Sequence, residues 1–480
     1  MRPEACSCGR RTVAGSRRDF LCQSALGFGG MALGHLLGAD AAHADDISNP
    51  LAPREGDFPA KAKSVIFLFL QGGPSHVDTF DPKPELQRLD GKPLPASFQS
   101  DDIELQFMKP TDGKLMGSPF PFQKYGESGL EISDLFPHLG KFADDLAVIR
   151  SCYHESFIHG PALSLLHSGS LLLGHPSVGS WIVYGLGCES KNLPAYMVLT
   201  DGSLRISSSA YNSGFLPAVY QGTFLRTEGA PIQNLTPPRG VGLQQQRRLL
   251  DQVEVWNRRH LQERPHDSRL EARIANYELA FRMQSAAPEL IDISGEPEHV
   301  GKLYGIDEKP TAKFGRMCLL TRRMVERGVR FVQLYSSDWD GHGQCAKNHK
   351  KNAGQIDRPI AGLIADLKQR DLLESTLIVC CGEFGRTPVM QGDKGRDHSP
   401  YGFTTWMAGG GVRGGKTIGA TDEFGFRAVE DKVHVHDLHA TMLSLLGLDH
   451  YSLTYLFQGR EQRLTDVGGE NDLSDRLTEA

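Results

Sequence analysis

Beyond residue 44 the chain has no segment with the roughly 18 or more continuous apolar residues that a bilayer crossing requires, which excludes a membrane-spanning class for that part. It has no surplus of positive charge. Its 52 Lys and Arg stand against 58 Asp and Glu, a formal net charge of −6, and nucleic-acid binding calls for a basic face. Cysteine is scarce. Of nine, three fall before residue 44, leaving Cys152, Cys188, Cys318, Cys345, Cys380 and Cys381. Cys380 and Cys381 are adjacent in a strand-like run, so their side chains point to opposite faces. That reads as apolar fill rather than a disulfide framework, and it leaves room for one oxidised pair elsewhere. There is no internal repeat and no low-complexity tract.

What is present begins with a leader. Ser16-Arg17-Arg18-Asp19-Phe20-Leu21 is a twin-arginine motif, followed by a glycine-rich apolar run from Ala25 to Leu37 and the small-x-small triplet Ala42-His43-Ala44. The order of basic, apolar and small-residue regions predicts export through the twin-arginine pathway to the periplasm or beyond, with cleavage after Ala44. Cys22 lacks the small residues expected before a lipidated cysteine. Removing residues 1–44 takes away five Arg and three acidic residues, leaving 47 basic and 55 acidic, net −8. The remaining chain of about 435 residues, from a sequence that is 39% hydrophobic, is long enough for two or three domains or for one large domain with insertions.

Hydrophobic patterning favours the second option. Ser64 to Leu70 is a continuous apolar run ending in Gln71-Gly72-Gly73-Pro74, the pattern of a strand buried on both faces. Leu146–Ile149, Tyr196–Leu199, Phe331–Tyr335, Thr376–Cys381 and Phe403–Ala408 read the same way. Helical patterns lie between them, at Ile356 to Arg370 and at His436 to Leu446. Alternation of this kind predicts an α/β fold with a doubly wound, mostly parallel sheet over residues 45–480. The middle differs: 244–263 and 268–285 are charged, helix-rich segments separated by Pro265, read as an inserted helical hairpin.

The candidate chemistry gathers after predicted strands. Asp338-Trp339-Asp340-Gly341-His342 follows Val329–Tyr335, at the carboxyl end where open α/β sheets bind ligands. Carboxylate and neutral imidazole are donors for zinc-like ions. Glu383-Phe384-Gly385-Arg386 follows Thr376–Cys381, and Asp397-His398 lies a short polar loop beyond. His76 and Asp78 sit after the first strand. Arg386 and Arg396 flank these segments and are able to clamp an anionic oxygen or to form salt bridges with nearby carboxylates.

This order resembles the alkaline phosphatase and sulfatase superfamily. Asp437-Leu438-His439-Ala440-Thr441-Met442-Leu443 with Leu446-Gly447 is similar to the C-terminal sulfatase helix. His159-Gly160-Pro161-Ala162-Leu163-Ser164-Leu165-Leu166-His167-Ser168-Gly169 is similar in spacing to the sulfatase nucleophile segment. The whole chain resembles still more closely an exported bacterial family, domain of unknown function 1501, through Phe69-Leu70-Gln71-Gly72-Gly73-Pro74-Ser75-His76-Val77-Asp78, Gly382–Pro388 and Gly395–Gly402. The superfamily resemblance implies an alkaline-phosphatase-type core. It also implies metal ligands at Asp338, His342 and His398, with Asp340 or another histidine as the third ligand should His398 point away. The chain departs from the two-metal pattern in three places. Gln71 stands for the first Asp, His159 for the nucleophile, and Glu383-Phe384 for an Asp-His pair.

The expectation is therefore one divalent metal ion, of zinc or calcium type, acting on a phosphate or sulfate ester of a small molecule or glycan. His159, Glu383, Arg386 and His76 are the candidate catalytic residues. The rival expectation is a non-catalytic protein that binds a metal, an anion or a glycan at a degenerate site.

Overall fold

The computed structural model describes residues 49–98, 102–226, 232, 240–263 and 268–479. The twin-arginine segment and its cleavage site lie outside these residues. Residues Pro50–Ala480 group as one compact unit.

Strand β1 (Ser64–Leu70) shows why its run is apolar throughout. Val65, Phe67 and Phe69 point into one core; Ile66, Leu68 and Leu70 point into another. A strand covered on both faces has no solvent side on which to place polar residues. The other strands of its nine-stranded sheet are β2 (Ala147–Tyr153), β3 (Tyr196–Thr200), β4 (Thr223–Phe224), β5 (Phe331–Ser336), β6 (Thr376–Cys381), β7 (Phe403–Ala408), β8 (Lys416–Ile418) and β9 (Val433–His434). Their order is β8-β2-β7-β6-β1-β5-β3-β4, with β9 also against β2. β1 pairs in parallel with β5 and β6, and β5 with β3. β7 runs antiparallel to both its neighbours. The fold is thus α/β with a mostly parallel sheet.

Helices cover both faces. On one side lie α1 (His159–Ser168) and α6 (Val435–Leu445), through Leu163, Leu438 and Met442. On the other lie α4 (Ala312–Glu326) and α5 (Cys345–Gln369), through Leu319, Leu320, Ile360 and Leu363. The charged middle forms α2 (Leu243–Glu263) and α3 (Ser268–Ile291), joined by Arg247 to Glu278 at 2.9 and 2.7 Å and set into the core by Leu290. All six described cysteines are free and buried, so no disulfide forms among them.

The sheet's geometry places the site. Because β6, β1, β5 and β3 are adjacent and parallel, the segments after Cys381, Leu70, Ser336 and Thr200 emerge along one edge. Close approach there requires glycine. Gly72 has φ +119°, and a Cβ on it would lie 2.5 Å from the Asp340 nitrogen.

Three buried histidines make this fold acid-sensitive. Burial pushes His349 down to about 4 and His167 and His439 to about 3, from an ordinary 6.5. Unfolded imidazoles take up protons first as pH falls, so stability is full above about 6.5 and declines toward 4, by up to about 1.4 kcal/mol per pH unit for each group. Thermal melts between pH 7 and pH 4 should show a falling Tm, with a shallower fall in His439→Gln. Stability that stays flat down to pH 4 would show that these rings are not held neutral.

Candidate metal centre

Four side chains from three distant segments meet at the sheet edge: His159, Asp340, His342 and His398, whose ligand atoms all lie within 4.8 Å of one another. His159 opens α1. Asp340 and His342 lie in the segment after β5, anchored by Trp339. That indole is fully buried, its N–H donates to the Ser336 hydroxyl at 3.1 Å, and its backbone N–H donates to the Gln71 carbonyl at 3.0 Å. His398 lies on a small antiparallel hairpin, Gly385–Gln391 with Gly395–Ser399, where it stands opposite Arg386.

Asp340 is the hub. One carboxylate oxygen faces His342 Nε2 at 3.1 Å, His398 Nε2 at 3.4 Å and Arg386 Nη2 at 2.7 Å. The other faces His159 Nε2 at 3.2 Å and Arg205 Nη2 at 2.9 Å. Burial works against this charge, but the three imidazoles and Arg386 outweigh it and hold the carboxyl far below the usual carboxylate range.

Each imidazole is fixed from behind. Nδ1 of His159 meets Glu383 Oε1 at 2.7 Å, Nδ1 of His342 meets Gln391 Oε1 at 2.7 Å, and Nδ1 of His398 meets the Phe157 carbonyl at 2.8 Å. An acceptor at Nδ1 draws the ring proton there and leaves the Nε2 lone pair pointing at Asp340. Three lone pairs and a carboxylate aimed at one point repel unless a proton or cation lies among them. The two carboxylates beside His159 favour such a proton on that ring. Burial opposes its charge, but Asp340 and Glu383 outweigh burial and raise its pKa. His398 is pushed by burial down to about 4 and stays neutral, as a ligand must. Three imidazole nitrogens and a carboxylate, each ring with an outer acceptor, fit a borderline ion such as zinc. The nitrogen-rich set does not suit calcium, which takes oxygen ligands.

The other expected residues fall as follows. Asp338 does not join the cluster: at φ +73° its exposed carboxylate turns out to Lys351 Nζ at 2.9 Å, while its carbonyl takes the side-chain amides of Asn348 and Asn352. The adjacent Asp340 fills the position expected of it. Glu383 is fully buried and accepts the Gly72 N–H on both oxygens, so it holds His159 rather than facing solvent. Arg386 is buried against Asp340 and the carbonyls of Gly72, Gly73 and Arg396. His76 lies outside the group, its Nε2 on the Gly425 carbonyl at 2.8 Å, and burial lowers its pKa. Asp78 forms a buried, bidentate pair with Arg396 at 2.7 and 3.0 Å. Phe384 packs on the rings of His159 and His398.

Sequence reasoning missed Gln391, Arg205 and Phe107. Phe107 is exposed, sits edge-on to His342 at 5.0 Å between ring centres, and is tied by its backbone N–H to Asp397 at 2.9 Å. No local pattern marks any of the three.

The profile of the family described as "Protein of unknown function (DUF1501)" matches residues 62–475. No curated protein matches the chain. Solved structures similar to it include Ps i-CgsB in complex with k-i-k-neocarrahexaose, at 11% identity and TM-score 0.35 over 81% of this chain and 72% of that one. PsFucS1 sulfatase from Pseudoalteromonas sp. has 14% identity and TM-score 0.34 over 86% and 72%. Alkaline phosphatase from the Antarctic bacterium TAB5 has 11% identity and TM-score 0.29 over 73% and 92%.

Zinc titration of apo protein should separate the two neighbouring carboxylates. Asp340→Ala should abolish tight binding, and Asp338→Ala should leave it unchanged. Gln391→Ala should weaken it about 10- to 100-fold, the usual cost of losing an outer partner. Loss of binding in Asp338→Ala with retention in Asp340→Ala would overturn the assignment.

Proposed function

We propose that this chain, which belongs to the DUF1501 family, is an exported hydrolase of phosphate or sulfate esters built around a single metal site. The observation that carries the proposal is the convergence of three Nδ1-anchored imidazoles on one carboxylate. A divalent ion bound there would supply Lewis-acid charge to an ester oxygen. The chain's own residues do the rest. Glu383 keeps the His159 ring oriented and its Nδ1 protonated. Arg386 fixes Asp340 and, being buried, does not reach for substrate. Phe107 walls the site beside His342 and offers an apolar face to the group that carries the ester.

The site has His159 at the position where the resemblance implies a hydroxyl or thiol nucleophile, and its cysteines do not compensate. Burial holds the Cys345 thiol up at about 12, so it is not a thiolate at neutral pH. Direct attack by water is the route this donor set favours. The same observation favours the second reading, a protein that binds metal and anion without turnover.

The deciding measurement pairs metal content with turnover. Protein purified without added metal, then loaded, should hold one ion per chain and hydrolyse some member of a panel of phosphate and sulfate esters. Glu383→Ala should lower kcat by roughly ten- to a hundredfold, as loss of a ligand's outer partner does. Two tightly held ions would defeat the single-site reading. Full loading without turnover on any ester would leave the binding reading.

Export forms part of the proposal. Arg17→Lys with Arg18→Lys should strand the uncut precursor in the cytoplasm, as fractionation and N-terminal sequencing would show. Unchanged export would remove the twin-arginine assignment.

A further inference from the structure

Two guanidinium groups touch Asp340, and they are built differently. The Arg386 side chain is 0% exposed, and its donors go to three backbone carbonyls as well as to Asp340. The Arg205 side chain is 38% exposed and approaches the other carboxylate oxygen from the solvent side, through Nη2 at 2.9 Å. A positive group in a binding edge with access to solvent can serve an incoming ligand; a buried one cannot.

Arg205 is also held where it is. It lies in the segment after β3, and Gln71, directly after β1, grips that segment with both ends of its amide. Gln71 Oε1 accepts the Arg205 backbone N–H at 2.9 Å, and Gln71 Nε2 donates to the Ser203 carbonyl at 3.0 Å. Gln71 is 4% exposed. Its amide is therefore committed to the backbone of 203–205. Asp201 ties the start of the same segment to Ser337 N–H at 2.9 Å.

We propose that Arg205 is the anion-binding residue of this site, taking a tetrahedral oxyanion such as phosphate or sulfate, free or as an ester, and that Gln71 positions it. The proposal rests on the metal-site reading above. Asp340 carries one negative charge and faces three imidazoles and two guanidinium groups. With that charge engaged by a divalent ion, Arg205 has no counter-charge of its own at the site. An oxyanion beside the ion supplies it, and the planar fork of donors matches two of its oxygens. The geometry answers a structural question as well: the segment after β1 presents no carboxylate to the site, and the cation brought in at this place is a guanidinium.

The experiment titrates zinc into apo protein by calorimetry, then titrates inorganic phosphate and sulfate into the zinc-loaded protein. Wild type, Arg205→Gln, Arg205→Lys and Gln71→Leu are compared, with thermal melts confirming folding. Arg205→Gln should weaken phosphate or sulfate binding about ten- to a hundredfold, the range for a lost hydrogen bond to a charged group. Its zinc affinity should be unchanged or tighter, because a neighbouring positive charge has gone. Arg205→Lys should recover part of the anion affinity and Gln71→Leu should lose part of it, both with zinc affinity kept. If Arg205→Gln instead weakens zinc and leaves anion binding alone, the arginine only orients Asp340 and the proposal is overturned. Zinc-loaded wild type that binds neither anion overturns it while leaving the metal site standing. If no zinc binds, the metal reading fails separately, and phosphate titration of the metal-free protein decides the arginine: binding lost in Arg205→Gln retains it, and absence of binding overturns it.

Discussion

A single half-buried carboxylate, Asp340, organises the edge of this sheet. Five cationic or potentially cationic groups converge on it, from α1, from the segments after β3 and β5, and from both strands of the 385–399 hairpin. Buried Arg386 has no other carboxylate partner among the described residues, so its charge is tolerable there because Asp340 and three carbonyls face it. Removing the carboxylate would leave a buried guanidinium uncompensated, which usually costs about 3–5 kcal/mol. The same charge aligns the Nε2 atoms of three rings. Structure and chemistry at this edge thus share one anion, and that is why its immediate surroundings admit so little variation: Gly72 has no room for a side chain against the Asp340 nitrogen.

The scaffold was legible because burial on both faces writes a local pattern. The parallel strands beside the edge are mostly apolar and buried, and the run stops where the site begins. The helical hairpin was legible for the opposite reason, since charge at helical spacing has little use in a sheet. The centre was legible only in part. The pentapeptide after β5 pointed to the segment that enters the cluster, and the spacing pointed to Asp338 where the cluster holds Asp340. What decides between Asp338 and Asp340 is a turn. Trp339 is buried as the anchor, Asp338 takes a left-handed conformation before it, and the two acids leave on different sides. A one-dimensional spacing rule does not contain that handedness.

The rest was illegible because it depends on contacts between remote segments. His159 and Glu383 are 224 positions apart, and Arg205 and Asp340 are 135 apart. His159 came into view through resemblance to a nucleophile segment, although nothing local distinguishes it from the chain's other histidines. His76 shows the converse. It lies beside a glycine-rich turn after the first strand, as a site residue would, but its ring turns toward the Gly425 carbonyl. Glu383 is a candidate catalytic residue from the sequence, standing with Phe384 where the resemblance implies an Asp-His pair. Its two oxygens in fact serve a backbone N–H and an imidazole.

These displaced roles share one physical direction. A site meant for two divalent ions needs several anionic ligands to offset four positive charges. Here one carboxylate points inward, a second is buried behind a ligand, and a third is turned outward to a lysine. The inward charge already meets two fixed guanidinium groups. Such a balance tolerates one added dication with neutral imidazoles as its main donors, and it then leaves the edge net positive. On the proposed reading, an edge of that charge, open to solvent beside the exposed Phe107 ring, would favour anionic ligands over cationic ones.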